Sequence, residues 1–516
     1  MSNVEPGTVL FEGADWNFET IRRIHDAIED VAVGEFGLSV YPNQIEIITT
    51  EQMLDAYSSI GMPLFYKHWS FGKHFAQQES YYRKGLMGLA YEIVINSSPC
   101  ISYIMEENSA TMQALVIAHA AFGHNHFFKN NYLFKLWTDA EGILDYLNFA
   151  KSYIGQCEER HGQVAVERTL DAAHALMTHG VHRYPGKKKL DLREEEKRAS
   201  ARRSHEERVF NDLWRTVPAG PGKSASELSV ERRRALLGLP QENILYFLEK
   251  SAPRLQPWQR ELLRIVRHIA QYFYPQGQTK VMNEGAATYV HYRIMTRLHE
   301  QGRICDGDFL EFLQSHTNVV FQPGYDDERF SGFNPYALGF AMMGDLARII
   351  AEPDDEDREW FPDIAGTGYV MPVLREIWAN YRDESFIGQF LSPRLMRQIR
   401  MFHLHDDPAD EAGIKVEAIH DERGYRRVRR QLARQYDVGW TDPNIEVIDV
   451  DLAGDRRLLL RHTVVNGALL EETDAKRVLQ HLADLWSYDV LLREVDAADT
   501  VLKEHMASPR EAALAA

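Results

Sequence analysis

Apolar residues recur at spacings of three and four from Asn17 onward. Ile21, Ile24, Ile28 and Val31 share one stripe, which predicts a helix that Gly34 and Gly37 end. Residues 41–60 read as a short extended piece and then a helix capped by Thr50. From Glu51 to Tyr184 the pattern is mostly helical, with clustered aromatic residues such as Phe65, Tyr66, Trp69 and Phe71. Tyr184-Pro-Gly186 breaks the pattern, and residues 187–208 are almost all charged or polar, which predicts a solvated helix or linker. A second loop signal stands at Pro218-Ala-Gly-Pro-Gly222. Helical periodicity resumes over 241–350, pauses at Pro353-Asp-Asp-Glu-Asp357 and continues to about Phe402. Beyond His403–Pro408 the period changes. Residues 414–419, 444–451, 456–464 and 488–494 alternate like strands, with helical patterns at 422–436 and 472–486. The expected architecture is a mainly α large N-terminal domain followed by a small α+β C-terminal domain. Its parts are a tail at 1–14, a helical region at 15–185, a charged linker at 186–225, a helical region completing the same core at 226–405, the small domain at 410–500 and a frayed tail at 501–516.

Composition narrows the function classes. The 516 residues carry 58 Lys+Arg against 76 Asp+Glu, a formal net charge of −18. That balance argues against general binding to nucleic acid or to anionic membranes. Cys100, Cys157 and Cys305 are the three cysteines, and none forms a CxxC pair. This points to a reducing compartment and away from a disulfide framework or a cysteine-based zinc site. The first residues lack a basic segment followed by an apolar run, and no stretch reaches the length needed to span a bilayer. The expectation is a cytoplasmic protein without a membrane span.

Candidate chemistry gathers first in Met112–Asn131, where an apolar helix runs into His119, His124 and His126. In a regular α-helix, residues five apart point about 140° away from each other, so His119 and His124 would not share an ion. Gly123 ending the helix, or a π-bulge near Phe122, would bring them together. His119 and His126 share a face but stand about 10 Å apart along the axis. A second polar stripe, Glu284, Thr288 and His291, interrupts the apolar segment 282–292.

Val-Ile-Ala-His119 and Asn283-Glu284-Gly285 resemble the two halves of the gluzincin metallopeptidase motif, in which two His and one Glu hold zinc and leave a position for water. By that resemblance His119 is similar to the first ligand and Glu284 to the third. Ala120 stands where the general-base glutamate belongs. Gly123 stands at the second histidine's place, and His124 follows one residue late. Standard chemistry of this kind needs a base from elsewhere, such as Glu106, Glu107 or His291.

A third stripe, Glu167, Asp171 and His174, has spacings suited to a bundle site for iron or mixed carboxylate ligation, and equally to a solvated face. Arg423, Arg426, Arg427, Arg430 and Arg434 line one face of a predicted helix, with Tyr425, Val428, Leu432 and Tyr436 on the other. Trp69-Ser-Phe-Gly-Lys73 fits a ligand loop or aromatic packing. No Walker loop, GxGxxG, GxSxG or kinase signature occurs.

Longer blocks carry a wider resemblance. YPNQIEIIT (41–49), MPLFYKHWSFGK (62–73), YEIVINSSPCISYIMEEN (91–108), HAAFGHNHFFKNN (119–131), MNEGAATYVHY (282–292), SHTNVV (315–320), NPYALGFAMM (334–343) and FLSPRLMR (390–397) resemble the stage V sporulation protein R (SpoVR) family. The resemblance implies a role in spore cortex formation or, in bacteria that make no spores, in stress or stationary-phase physiology. It also implies a serine protein kinase and a von Willebrand-type protein as partners. Together the readings give a helical, zincin-like or bundle-like core. One functional expectation is a metal-dependent hydrolase-like protein. Its zinc, iron or manganese would sit on His119, His124 and Glu284, with Glu107 or His291 handling protons and His126, Glu167, Asp171 and His174 as further candidates. The alternative is a non-catalytic regulator or scaffold.

Overall fold

The computed structural model describes residues 8–58, 66, 68, 77, 92–183, 237–324, 327–401, 403–406, 414–417, 419, 421–452, 454–465 and 467–510, with 403–406 and 414–417 described by backbone alone. The charged segment 186–225 and the Trp69–Lys73 motif lie outside the described residues. The described chain divides into two compact units, Met1–Gln156 with Tyr272–Asp437 and Cys157–Gln271 with Val438–Ala516.

The first unit is built mainly from helices, as the periodicity predicts. Asn17 caps the helix Phe18–Glu29 by accepting the Thr20 N–H, and Ile21, Ile24 and Ile28 face inward. They join a single apolar cluster with Phe122, Ile294, Met343 and Trp378. The region between Glu51 and Tyr184 departs from the helical expectation. β2 (Glu92–Ile95) and β3 (Cys100–Met105) join β1 (Asn43–Ile48), the extended piece expected before the Thr50 helix, in a sheet of order β1-β3-β2. β1 runs parallel to β3, and β2 antiparallel to it with Glu92 opposite Ile104. Glu-Ile-Val-Ile and Cys-Ile-Ser-Tyr-Ile-Met are short runs rich in β-branched residues. Such runs do not declare their period until a partner strand pairs with them.

Two long helices, Lys280–Glu300 and Pro335–Ala351, pack backbone to backbone against each other. A Cβ on Gly285 would lie 2.5 Å from the Cα of Gly339. Gly123 meets the first of these helices in the same way, since a Cβ there would lie 2.6 Å from Ala287 Cα. Gly123 therefore does not end its helix. It permits contact, and the chain continues helically to Asn130. The Asp383 carboxylate accepts the Val281 and Met282 N–H groups, each at 2.8 Å, and so caps the start of Lys280–Glu300 from a distant segment.

In the second unit, β6 (Asn444–Val450), β7 (Leu458–Thr463), β8 (Val490–Val495) and β9 (Val501–Ala507) form a sheet in that order. β7 and β8 are parallel, and the helix Glu472–Trp486 connects them. β7 alternates buried and half-buried positions, with Leu458 and Leu460 inward. Leu479, Leu482 and Trp486 of the connecting helix are buried, and Phe247 meets Trp486 with ring centroids 5.7 Å apart. The segment expected to fray instead holds β9, which pairs antiparallel with β8. A further two-stranded hairpin, β4 (His403–Asp406) with β5 (Ile414–Glu417), precedes this unit's C-terminal half in the chain. The mainly α region followed by an α+β region matches the sequence reading, with the added sheet in the first. No described helix is long and apolar enough to cross a membrane.

Candidate metal centre

Ser109 caps the helix Ala110–Val116, which passes at Ile117 into a π-helical turn that lasts to His124. The Asn125 N–H reaches back five residues to Ala120 O. This widened turn removes the angular mismatch between His119 and His124 that a regular helix would impose. The two imidazoles meet edge to face with centroids 4.5 Å apart. The Gly123–Ala287 contact sets this turn against the helix that carries Glu284.

The four groups converge by their free atoms. Glu284 Oε2 lies 3.7 Å from His119 Nε2 and 3.5 Å from His124 Nε2. Glu92 Oε1, from β2, lies 3.7 Å from His119 Nε2. These gaps are too long for hydrogen bonds. Among the described residues His119 Nε2 and Glu284 Oε2 have no hydrogen-bond partner although both are buried. The side chains of Glu92 and Glu284 keep 16% and 17% of their exposure, against 4% and 8% for the two histidines, so the carboxylates form the accessible side.

The opposite ring nitrogens are tied down. His124 Nδ1 donates to Asn283 Oδ1 at 2.9 Å, which leaves its Nε2 a lone pair facing Glu284. His119 Nδ1 lies 2.9 Å from His291 Nδ1, and His291 Nε2 lies 2.9 Å from His316 Nδ1. Burial brings His124 down to about 4 and holds His291 well below the usual histidine range. Burial works in the same direction on His119, but the nearby carboxylates of Glu284 and Glu92 outweigh it and raise it. Burial raises Glu92. It opposes ionisation of Glu284 too, yet His124, His119 and the Tyr336 hydroxyl draw that carboxyl below its ordinary value.

The donor set suits a small divalent cation. A tetrahedral zinc site has ligand-to-ligand edges of roughly 3.4 Å, given bonds near 2.1 Å. The orphaned His119 Nε2 and Glu284 Oε2, 3.7 Å apart, and His124 Nε2, 3.5 Å from Glu284 Oε2, with the outer nitrogens of both rings already anchored, match that requirement.

The other sequence candidates are placed as follows. His291 touches His119 rather than the open side. Glu107 is exposed, and its Oε1 accepts the Thr50 hydroxyl at 2.7 Å and the Thr50 N–H at 3.3 Å, so it fastens a helix start instead of joining the cluster. His126 Nδ1 accepts the Ser39 N–H at 2.9 Å and braces the approach to β1. Glu167 accepts from Gln163 on the exposed face of Gln163–Ala175. Among the described residues, ligand atoms of three or more side chains converge at Glu92, His119 and His124 and at the more exposed His25, Asp26 and Glu29, and Glu167, Asp171 and His174 form no such group.

Sequence reasoning missed Glu92, Asn283, His316 and Tyr336 as parts of the site. A lone carboxylate in the apolar run Gly88–Ile95 was the available signal for Glu92. His316 and Tyr336 carry no local spacing rule, because each comes from a separate helix.

The whole chain agrees with the resemblance carried by its motifs. The family described as SpoVR like protein matches residues 15–441, and the family described as SpoVR-like C-terminal domain matches residues 443–497. A relative from Escherichia coli (strain K12), named Uncharacterized protein YcgB, is 52% identical over 487 residues, which cover 94% of each chain. No solved structure gives a significant match. By sequence along nearly its full length, the chain belongs to the SpoVR family.

Proposed function

We propose that this protein is a metal-dependent hydrolase-like member of its family. The observation that carries the reading is the meeting of two buried, unpartnered ligand atoms, His119 Nε2 and Glu284 Oε2, with His124 Nε2 and with Glu92 Oε1, whose side chain lies on the accessible side of the cluster. His119, His124 and Glu284 would hold the ion. Zinc is the first choice, with iron or manganese as alternatives. Such an ion supplies Lewis-acid activation of water. Glu92 is the carboxylate that Ala120 fails to provide. Its Oε1 is placed to take a proton from a molecule entering on the carboxylate side. Asn283 and His291 orient the two histidines. The substrate class is an amide, in a peptide or a peptidoglycan precursor. The setting is cytoplasmic and belongs to spore cortex formation or stress physiology, as the family resemblance implies.

Metal content by mass spectrometry tests this, on protein purified without a His-tag. One equivalent of zinc, iron or manganese, lost in His119→Ala and in Glu284→Ala, supports the reading. Metal-free wild-type protein, with both variants folded, sinks it. The missing glutamate at position 120 favours a second reading. In it the centre is structural and the protein is a regulator working with a serine kinase and a von Willebrand-type partner. Hydrolysis that survives in the wild type and disappears in Glu92→Gln at full metal occupancy separates the first reading from the second.

A further inference from the structure

Three histidines from three helical segments stand in a line: His119 on the π-helical turn, His291 on Lys280–Glu300 and His316 on Asp306–Val319. Both steps of the line are 2.9 Å. His291 is 1% exposed, and its two ring nitrogens are used by its two neighbours. A neutral imidazole has one N–H and one lone pair. Such a chain therefore has only two consistent hydrogen arrangements. In one, each ring donates away from the cluster: His119 Nδ1–H to His291 Nδ1, and His291 Nε2–H to His316 Nδ1. His119 Nε2 is then a bare lone pair facing Glu92 and Glu284. In the other, each ring donates toward the cluster, and His119 Nε2 carries the hydrogen.

We infer that His291 and His316 are positioning residues that select the first arrangement and so make His119 Nε2 a metal-ligating lone pair, an inference that rests on the metal-site reading above. The far end of the line is held in place. His316 is held by rings of Tyr292, Phe312 and Phe340 at centroid distances of 4.9, 5.8 and 4.7 Å, which fix its plane while its Nδ1 faces His291. The same relation exists at the second ligand. His124 has its tautomer set by a single acceptor, Asn283, on the same helix as His291. The two ligating histidines thus have outer acceptors of different reach: one side chain for His124, two in series for His119. Acceptors of this kind typically change metal affinity by roughly 10- to 100-fold.

The test compares wild type, His316→Phe and His316→Asn as full-length chains. Phenylalanine keeps a ring inside the aromatic surround but offers His291 no acceptor, whereas the Asn carbonyl oxygen replaces Nδ1. Zinc affinity is measured by competition with a chromophoric chelator, and the hydrogen bond is followed in metal-free protein by low-field proton NMR. The expected result is zinc binding weakened about 10- to 100-fold in His316→Phe, recovered in His316→Asn, with one low-field N–H resonance absent from the Phe variant alone. Equal zinc affinity in wild type and a folded His316→Phe overturns the positioning role while leaving the metal site standing. Wild type that takes up no zinc, iron or manganese overturns both. Should His316→Phe fail to fold, His316→Asn against His316→Ala provides the same comparison, and equal affinity of that pair overturns the positioning role.

Discussion

Among the described residues each compact unit holds a largely buried carboxylate–histidine cluster, and the two are finished differently. In the second unit Glu494 is fully buried, and three donors close on it: His462 Nδ1 at 3.0 Å, His505 Nε2 at 2.8 Å and the Leu470 N–H at 2.9 Å. Every contact has hydrogen-bond length, and none of these atoms lacks a partner. In the first unit the corresponding gaps are 3.5–3.7 Å, and buried atoms stay unpaired. The same residue types therefore serve two ends. A closed cluster satisfies its charge internally and ties β7, β8 and β9 together. An open one stores unsatisfied ligand atoms, which cost stability unless something binds between them.

The sharpest way to break this comparison is to remove each central carboxylate. Glu494→Ala leaves two histidines and a backbone N–H without their acceptor, and the expected loss is about 3–5 kcal/mol of stability, measured by urea unfolding. Metal content should not change. Glu284→Ala should do the opposite, abolishing metal binding while altering metal-free stability by less than about 1 kcal/mol. A loss of stability in Glu284→Ala that matches Glu494→Ala would show that both clusters are structural.

Metal removal comes next in size. With ion at a thousandfold excess over its dissociation constant, binding stabilises the folded chain by about 4 kcal/mol. A chelator should therefore lower the melting temperature of wild type and leave Glu284→Ala unmoved.

Acid should expose the histidine line. Burial brings His316 down to about 4, with the charge of His119 adding to the effect. The unfolded chain takes up this proton near pH 6.5, while the native state refuses it until about pH 4. The unfolded state binds more protons in that window, so the stability is fully present above pH 6.5 and is lost as pH falls toward 4. His316→Asn should flatten that slope by up to about 3 kcal/mol in metal-free protein, read from unfolding midpoints across the window.

The smallest expected effect is at the helix contact that sets the site. Gly339→Ala forces the backbones of Lys280–Glu300 and Pro335–Ala351 apart, because a Cβ there would collide with Val281 O. Overpacking of this kind costs about 1–3 kcal/mol. It should also weaken metal binding, since Glu284 rides on the displaced helix. Unchanged metal affinity in a destabilised Gly339→Ala would mean that the cluster does not depend on that spacing.

The π-helical turn shows how far local sequence reaches. The five-residue step from His119 to His124 is incompatible with one ion on a regular helix, so a π-bulge was one of two local ways to unite them. Gly123 suggested the other, a helix end, on equal terms. The choice lay with Ala287 on a distant helix, whose close approach uses the missing Cβ. Glu107 shows the converse error. A carboxylate near the histidines in sequence was a reasonable base, but β3 carries it past the cluster to the start of the helix at Thr50. Glu92, farther away in sequence, is brought in by pairing with that same strand.

Periodicity and capping residues were enough to determine the mainly α region and the α+β region after it, while the clustered histidines, the polar stripe at Glu284 and the motif resemblance pointed to His119, His124 and Glu284 as candidates. These depend on neighbours within a turn or a strand, and their physical cause travels with the local chain. Only the tertiary structure decided that Glu92 comes to His119, that Glu107 does not, and that His291 and His316 stand behind His119. Each of these depends on which separate elements approach each other. That approach is set by the packing of Gly123, Gly285 and Gly339 and by β2–β3 pairing, at sequence separations where no local pattern records it.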